Sequence, residues 1–509
     1  ALSPTVPTYA GGLGVLAGDL VREASAQDFP LVAVGLYYHE GYIFHQTPTP
    51  DLTSSHQFSP QSRGLEPVLD STGQPLTIPI PIQDRTVLAK AWLFRLGSTR
   101  TLLLDTELDQ NSPSDRHITD QLYVADKETR IKQQIVLGIG GVRLLNSLGI
   151  EPHIFHANEG HSIFLAFELL RSIMRQKNIN LVDAQQLLKP QLVFTNHTLV
   201  PGGNELFSND LVSAMLFKYA EELQIPISDL VALGLVQDSS LFSLTLLSLR
   251  LAGKAIAVSH LHAKKAAEIW TDHPMFPITN ASHLQHWDRI NSDNPLDFWS
   301  KHQQNKRELL DYIRQQTAVN WDQNTLLLGW ARRIVPYKRP TSLFANLQRF
   351  IQIATHPDRP FRVVISGRAH VSDPDATSLL ELIRSLVSKE LKGLVAFLPN
   401  YNPELAQLLV AGCDVWLNTP VVGSEACGTS GMKAALNGVL PLTTRDGWVD
   451  EVELFKIGWA IEDSPISENL LTALESQIVP PYYEHLQNPA DSDWFSHMRN
   501  ARDLIAHEF

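Results

Sequence analysis

The chain has 509 residues, 44% of them hydrophobic and 10 of them Trp, with 41 basic against 54 acidic side chains and a net charge of −13. That length and apolar content make two or three domains with large buried cores, and exclude disorder of the whole. The acidic balance excludes a nucleic-acid partner held by bulk charge, so any anion must be held by a local site. Cys413 and Cys427 are the only cysteines, which excludes a disulfide framework or a zinc knuckle and makes a reducing, cytoplasmic compartment the expectation. No apolar run approaches the ~18 residues of a membrane span and no signal peptide is visible, so no membrane partner is expected. The sequence opens at Ala1 without an initiator methionine, and a missing first segment is expected.

Along the chain, short apolar runs alternate with longer amphipathic stretches. The strand-like runs are "PLVAVGLYY" (30–38), "HIFHA" (153–157), "QLVFTN" (191–196), "AIAVS" (255–259), "TLLLGW" (325–330), "RVVISG" (362–367), "LVAFLP" (394–399) and "CDVWLN" (413–418). Strands separated by helical segments predict βαβ units and mostly parallel sheets. The polar stretch "SDNPLDFWSKHQQNKRELL" (292–310) is the expected boundary, giving an N-terminal domain over 1–305 and a C-terminal one over 306–509, with a cleft between them. A ligand is expected at strand carboxyl ends facing that cleft.

Loops with the chemistry of phosphate binding fall at such ends. In "YAGGLGVLAGDL" (9–20), Gly11, Gly12 and Gly14 precede a helical run, so backbone N–H groups can approach an anion at a helix N-terminus; a tight turn is the alternative. "GIGGVR" (138–143), by contrast, sits inside an amphipathic pattern and reads as close helix packing. "LLLGWARRIVPYKRPTSLF" (326–344) reads as strand, loop, then a helix starting at Pro340 and Thr341. Arg332, Arg333, Lys338 and Arg339 crowd its loop, and a guanidinium fork with an ammonium at one phosphate suits Arg333 and Lys338. In "EACGTSGMKAALNGV" (425–439), Thr429, Ser430 and Gly431 open a short buried helix ended by Asn437 and Gly438, with Lys433 one turn in. A buried lysine forms Schiff bases, and pyridoxal phosphate carries both an aldehyde and a phosphate; a lysine snorkelling at a helix edge is the alternative.

His156 and His161 in "HANEGHS" (156–162) lack metal-ligand spacing and cysteine partners, so no metal is expected. His197 directly follows a strand, as cleft residues do. Asn158, Glu159 and Asn280 are polar groups at strand ends, suited to sugar hydroxyls or to turn capping.

The motifs "GGLGVLAGD", "HANEGHS", "FTNHTLVPGG", "ITNASHLQHW", "ARRIVPYKR" and "EACGTSGMKAALNG" occur in this order over essentially the whole chain, which resembles the α-glucan phosphorylases, closest to the shorter bacterial type. The resemblance implies an α/β fold of the GT-B type, with two Rossmann-like domains and pyridoxal phosphate in the cleft. It implies that Lys433 carries the cofactor as a Schiff base, that Thr429, Ser430 and Gly431 hold its phosphate with Arg332, and that Trp287 lies near it. Arg333 and Lys338 with the Gly12 backbone would bind the substrate phosphate. Glu425, Cys427 and Gly428 would contact one side of the glucose; Asn280 and the His197 carbonyl would hold its 6-hydroxyl, with Leu13, Asn158 and His161 also in the sugar site. The family reaction is reversible cleavage of a terminal α-1,4 bond of glycogen, starch or maltodextrin by inorganic phosphate, giving α-glucose-1-phosphate with retention. A homo-oligomer is a further expectation. Cys427 for serine, Ala281 for glycine, Val124-Ala125 for paired glycines and Arg368 for lysine depart from the family pattern, in ways that bear on substrate preference and rate. The family also has a strand before "ALSP" and helices after "IAHEF", with the last helices expected to pack back on the N-terminal domain. A nucleotide-sugar glycosyltransferase and an inactive glucan-binding protein are the competing readings; Lys433, and the full set Arg333, Lys338, Lys433 and Glu425, speak against them.

Overall fold

The computed structural model describes residues 2–3, 6, 8, 11–42, 59–200, 203–292, 294–370 and 373–509. Tyr9, Ala10, Pro201 and Gly202, at the ends of two quoted motifs, lie outside the described residues. The chain forms two units, the first made of 11–42, 59–258 and 262–278, the second of 259–261 and 279–509. The division therefore falls at Ile278–Thr279 and not at residue 305. The polar stretch 292–310 is instead the start of a long helix, Pro295–Thr317, because Asn294 caps it by accepting from the backbone N–H groups of Leu296 and Asp297.

The first unit opens with helix α1 (Gly11–Ala26) and strand β1 (Val32–Leu36). Strands β2 (Thr77–Ile82), β3 (Arg85–Leu96) and β4 (Thr99–Asp105) form an antiparallel meander, and β1 pairs parallel with β4. The expectation of mostly parallel sheets misses this meander, whose tight turns Gln83-Asp84 and Gly97-Ser98 allow direct antiparallel return. The second sheet of this unit is parallel throughout, in the order β8-β7-β6-β5, from β5 (Phe155–Asn158), β6 (Leu192–Asn196), β7 (Lys254–Ala257) and β8 (Phe276–Pro277). One apolar core runs from Ile80 and Leu104 through Ile131, Ile139 and Phe167 to Phe194 and Phe242. "GIGGVR" lies within it as expected: a Cβ on Gly138 would stand 2.5 Å from the Leu165 nitrogen, so only glycine permits this helix contact.

The second unit is built on a six-stranded parallel sheet, β11-β10-β9-β12-β13-β14. Its strands are β9 (Leu326–Ala331), β10 (Phe361–Ser366), β11 (Val395–Leu398), β12 (Val415–Asn418), β13 (Leu440–Thr443) and β14 (Trp459–Ala460). All six residues of β9 are buried, as a strand covered on both faces must be. The order is doubly wound, and chain direction across the sheet reverses between β9 and β12.

Helix α2 (Pro295–Thr317) is anchored to this sheet by buried charge. The Lys306 Nζ pairs with Asp414 and donates to Thr325 O and the Tyr482 hydroxyl at 2.8 Å each. Asp414 also accepts the Leu327 N–H at 2.8 Å and hydrogen-bonds His302 Nε2 at 3.2 Å. Burial would raise the Asp414 pKa, but the charges and hydrogen bonds of Lys306 and His302 together hold the carboxyl below its ordinary range. Asp414→Asn strands a buried ammonium, and we expect a loss of about 3–5 kcal/mol, read as a lower urea midpoint by tryptophan fluorescence. An unchanged midpoint would contradict this.

Candidate active site

In the second unit, β9 and β12 are neighbours whose following loops lead to opposite sides, so side chains gather at their carboxyl ends. Arg332 is buried there. Its Nη2 donates to Leu417 O at 2.7 Å, its guanidinium lies 5.3 Å from the Trp330 ring centroid, and its Nε has no partner among the described residues. Burial lowers its pKa. The Lys338 Nζ pairs with both Glu425 oxygens at 2.8 and 3.1 Å. Burial alone would lower its pKa, but the Glu425 charge and hydrogen bond, with the Tyr337 hydroxyl, together raise it. Arg339 ties the same two loops by donating to Thr419 O at 2.8 Å and Pro420 O at 2.6 Å, while the Val421 N–H donates to Tyr337 O at 2.8 Å. Arg333 is exposed and makes no hydrogen bond or ion pair with a described residue.

The helix expected at Pro340 and Thr341 does not start there. Arg339, with φ 47° and its guanidinium pinned across the loops, breaks the run; a 3-10 turn covers Ser342–Phe344. The α-helix begins at Leu347, where Asn346 caps it by accepting the Arg349 N–H.

The loop after β12 ends in helix α3 (Thr429–Leu436), capped by Gly428 at φ 89°, with Gly431 to Leu436 all buried. Thr429, Ser430 and Gly431 form its first turn, where backbone N–H groups and the helix dipole favour an anion. Lys433 is only 4% exposed, and its Nζ stands 4.5 Å from the Trp287 ring centroid. Asn437 holds that arrangement by donating from Nδ2 to both Trp287 O and Lys433 O. Asn418 Oδ1 and Trp330 Nε1 join Arg332 Nε as buried polar atoms without a partner among the described residues. The Asn280 backbone hydrogen-bonds the Cys427 sulfur, and burial pushes that thiol up. The last helix, α4 (Asp493–Glu508), packs on α3 within this unit, with Arg502 donating to Leu436 O and pairing with Asp288.

The first unit holds the other candidate residues. β5 and β6 are adjacent and parallel, so Asn158 and His197 meet at their carboxyl ends, His197 Nε2 hydrogen-bonding Asn158 Oδ1 at 2.7 Å. Burial depresses the pKa values of His197 and His161 to about 3, so both are neutral. Gly12 and Leu13 belong to the first turn of α1, which starts at Gly11 rather than after the glycines, and open space lies where a Gly12 Cβ would point. No hydrogen bond between described residues ties Gly12 or Leu13 to the His197 group.

Glu159 is not the sugar-facing group its strand-end position implies. It is buried, and its Oε2 accepts the His197 N–H at 2.8 Å while Oε1 accepts from Gly160 N and Asn196 Nδ2. Its φ 75° and ψ 163° are a strained pair for a side-chain-bearing residue, and burial pushes its pKa up to about 7. The missed signal is the neighbour relation of "ANEG" and "TNHT", which appears only when β5 and β6 align.

A histidine–carboxylate cluster lies elsewhere in this unit: His39 Nε2 is 3.0 Å from Asp105 and 3.1 Å from Glu107. Burial would lower the His39 pKa, but Asp105 outweighs it and raises it, and Lys90 and the Trp92 indole also engage Asp105. The set is satisfied as an ion-pair cluster.

Among the described residues no helix is long and apolar enough to cross a membrane. A doubly wound parallel sheet with a cluster of cations and a lysine-bearing helix at its switch point defines an α/β protein with a basic group of side chains at its strand ends. The family model described as carbohydrate phosphorylase matches residues 273–457. The maltodextrin phosphorylase of Thermococcus litoralis is 34% identical over 100% of this chain and 67% of its own length. The glycogen phosphorylases of Mycobacterium tuberculosis and Aquifex aeolicus are 32% and 30% identical, over 99% and 100% of this chain and 67% and 82% of their own. The chain belongs to the carbohydrate phosphorylase family.

His262 provides a pH test of the first unit. Its Nδ1 accepts the Val258 N–H, so its proton sits on Nε2, which donates to Asn196 Oδ1 at 2.9 Å, and burial lowers its pKa to about 4. The unfolded chain takes up a proton below about 6.5 that the folded chain refuses until about 4. The His262 contribution to stability is therefore complete above pH 6.5 and lost as pH falls toward 4. In urea titrations between pH 7.5 and 4.5, His262→Gln should show a shallower pH dependence than the parent; equal slopes would overturn this.

Proposed function

We propose that this chain catalyses the reversible phosphorolysis of terminal α-1,4-glucosidic bonds in glycogen or maltodextrin, releasing α-D-glucose-1-phosphate with retention. The observation that carries the reading is the gathering of Arg332, Lys338 and the Lys433 helix at the carboxyl ends of β9 and β12. Two relatives are named glycogen phosphorylase and one maltodextrin phosphorylase, in accord with it. The doubly wound order of the second unit fits a GT-B enzyme of two Rossmann-like domains.

The Lys433 pocket fits pyridoxal phosphate. An enclosed ammonium faces an aromatic ring, a helix N-terminus lies one turn before it, and the buried Arg332 Nε lacks a partner among the described residues. Lys433 would hold the cofactor, Thr429, Ser430, Gly431 and Arg332 its phosphate, and Trp287 its surroundings; Gly12, in the first unit, would offer its backbone N–H to a phosphate. When bound, pyridoxal phosphate supplies a phosphate group for acid chemistry. Arg333 and Lys338 bind the substrate phosphate, the exposed Arg333 fork being free of described partners. The developing charge at the reacting phosphate is met by these cations and by backbone N–H groups. In the second unit Asn280, Glu425, Cys427 and Gly428 would contact glucose hydroxyls, and in the first unit Leu13, Asn158, His161 and His197 would contact glucan hydroxyls.

Water is a poor nucleophile in this site. Glu425 is engaged by Lys338 and Glu159 by backbone N–H groups, so neither belongs to a flanking glycosidase pair. Incubation with maltodextrin should release glucose-1-phosphate only when inorganic phosphate is present, and proton NMR of fresh product should show the α-anomer. A β-anomer, or equal glucose release without phosphate, would refute the mechanism. Borohydride reduction of protein loaded with pyridoxal phosphate should fix the label on Lys433 alone by peptide mapping. A label on Lys338 would overturn the cofactor assignment.

A further inference from the structure

Resting on that reading, we propose that Asp446 is a positioning residue for catalysis, holding the Glu425–Gly428 loop so that the Glu425 carboxylate meets Lys338. Asp446 is 1% exposed and directs both oxygens at backbone donors. Its Oδ2 accepts the N–H groups of Ser424 at 3.1 Å and Glu425 at 2.9 Å, and its Oδ1 accepts that of Gly447 at 2.9 Å. The next two residues grip the same loop. A Cβ on Gly447, at φ +62°, would stand 2.1 Å from the Cys427 carbonyl oxygen, and the Trp448 N–H donates to that oxygen at 3.0 Å. Gly431, in the first turn of α3, lies against the Trp448 indole. The Asp446-Gly447-Trp448 turn thus fixes the backbone between Glu425 and the Lys433 helix.

Burial, with the facing Glu425 charge, pushes the Asp446 pKa to about 7. A carboxylate kept in so unfavourable a place is of a kind found at functional sites. An amide cannot replace it: its NH2 would face either the Ser424 and Glu425 donors or that of Gly447, donor against donor.

The test is a double-mutant cycle on the holoenzyme in the phosphorolytic direction. Asp446→Asn should lower kcat about tenfold or more and raise the KM for both phosphate and maltodextrin, since the loop it holds carries the Lys338 partner and the proposed glucose contacts. In a Glu425→Gln background the same change should lower kcat by less than about threefold, since it acts through Glu425. Gly447→Ala, which presses on the same loop, gives the same cycle if Asp446→Asn yields no folded protein. Additive losses in the two backgrounds, or unchanged KM values for both phosphate and maltodextrin, would overturn the assignment. Absence of phosphate-dependent turnover in the unmutated chain would instead refute the proposed function.

Discussion

Two cations, the Arg332 guanidinium and the Lys433 ammonium, are held almost out of water, 6% and 4% exposed, and the second unit is organised around that constraint. A buried cation is unfavourable unless it is paired, hydrogen-bonded or given an incoming anion. Lys306 shows the structural answer, with Asp414, a carbonyl and a hydroxyl around it. Arg332 shows a different one: a carbonyl on one nitrogen, an indole beside it, and an Nε without a partner among the described residues. Lys433 lies with its Nζ 4.5 Å from the Trp287 ring centroid.

Holding such groups ready requires rigid loops, and the hydrogen bonds between the loops after β9 and β12 supply that rigidity. Arg339 and Lys338 each reach from one loop to the other, and the Val421 N–H adds a backbone tie. The Asp446 turn fixes the same segment from the far side. The first unit uses the opposite electrostatics: His161, His197 and His262 are kept neutral by burial, and Glu159 orders the backbone of His197. Neutral hydrogen-bonding groups suit hydroxyl recognition, whereas the cluster of cations in the second unit suits phosphate.

Seven of the ten strands in the two parallel sheets and the helix carrying Lys433 were legible in the sequence because they rest on local signals; β8, β13 and β14 were not among the expected runs. Continuous apolar runs mark strands buried on both faces, and Gly428 through Gly431 mark a helix start. Trp287 could be associated with Lys433 only through the family resemblance; the contact itself depends on Asn437 bridging residues far apart in the chain. The boundary near 305 failed for a definable reason: a polar, amphipathic helix with a good cap reads as a linker when its buried partner, Asp414, lies 108 residues away from Lys306.

The sequence by itself determined the residue chemistry: which loops carry cations, which helix carries the enclosed lysine, and which strand ends carry amides and imidazoles. Tertiary structure alone decided which of these groups are satisfied and which are not. Glu425 is bound to Lys338, Glu159 turns inward to His197, and Asp446 serves the backbone of a loop more than twenty residues before it. These outcomes depend on strand neighbours and on burial, because the strength of a charge or hydrogen bond is set by what surrounds it in space, which local order along the chain does not encode.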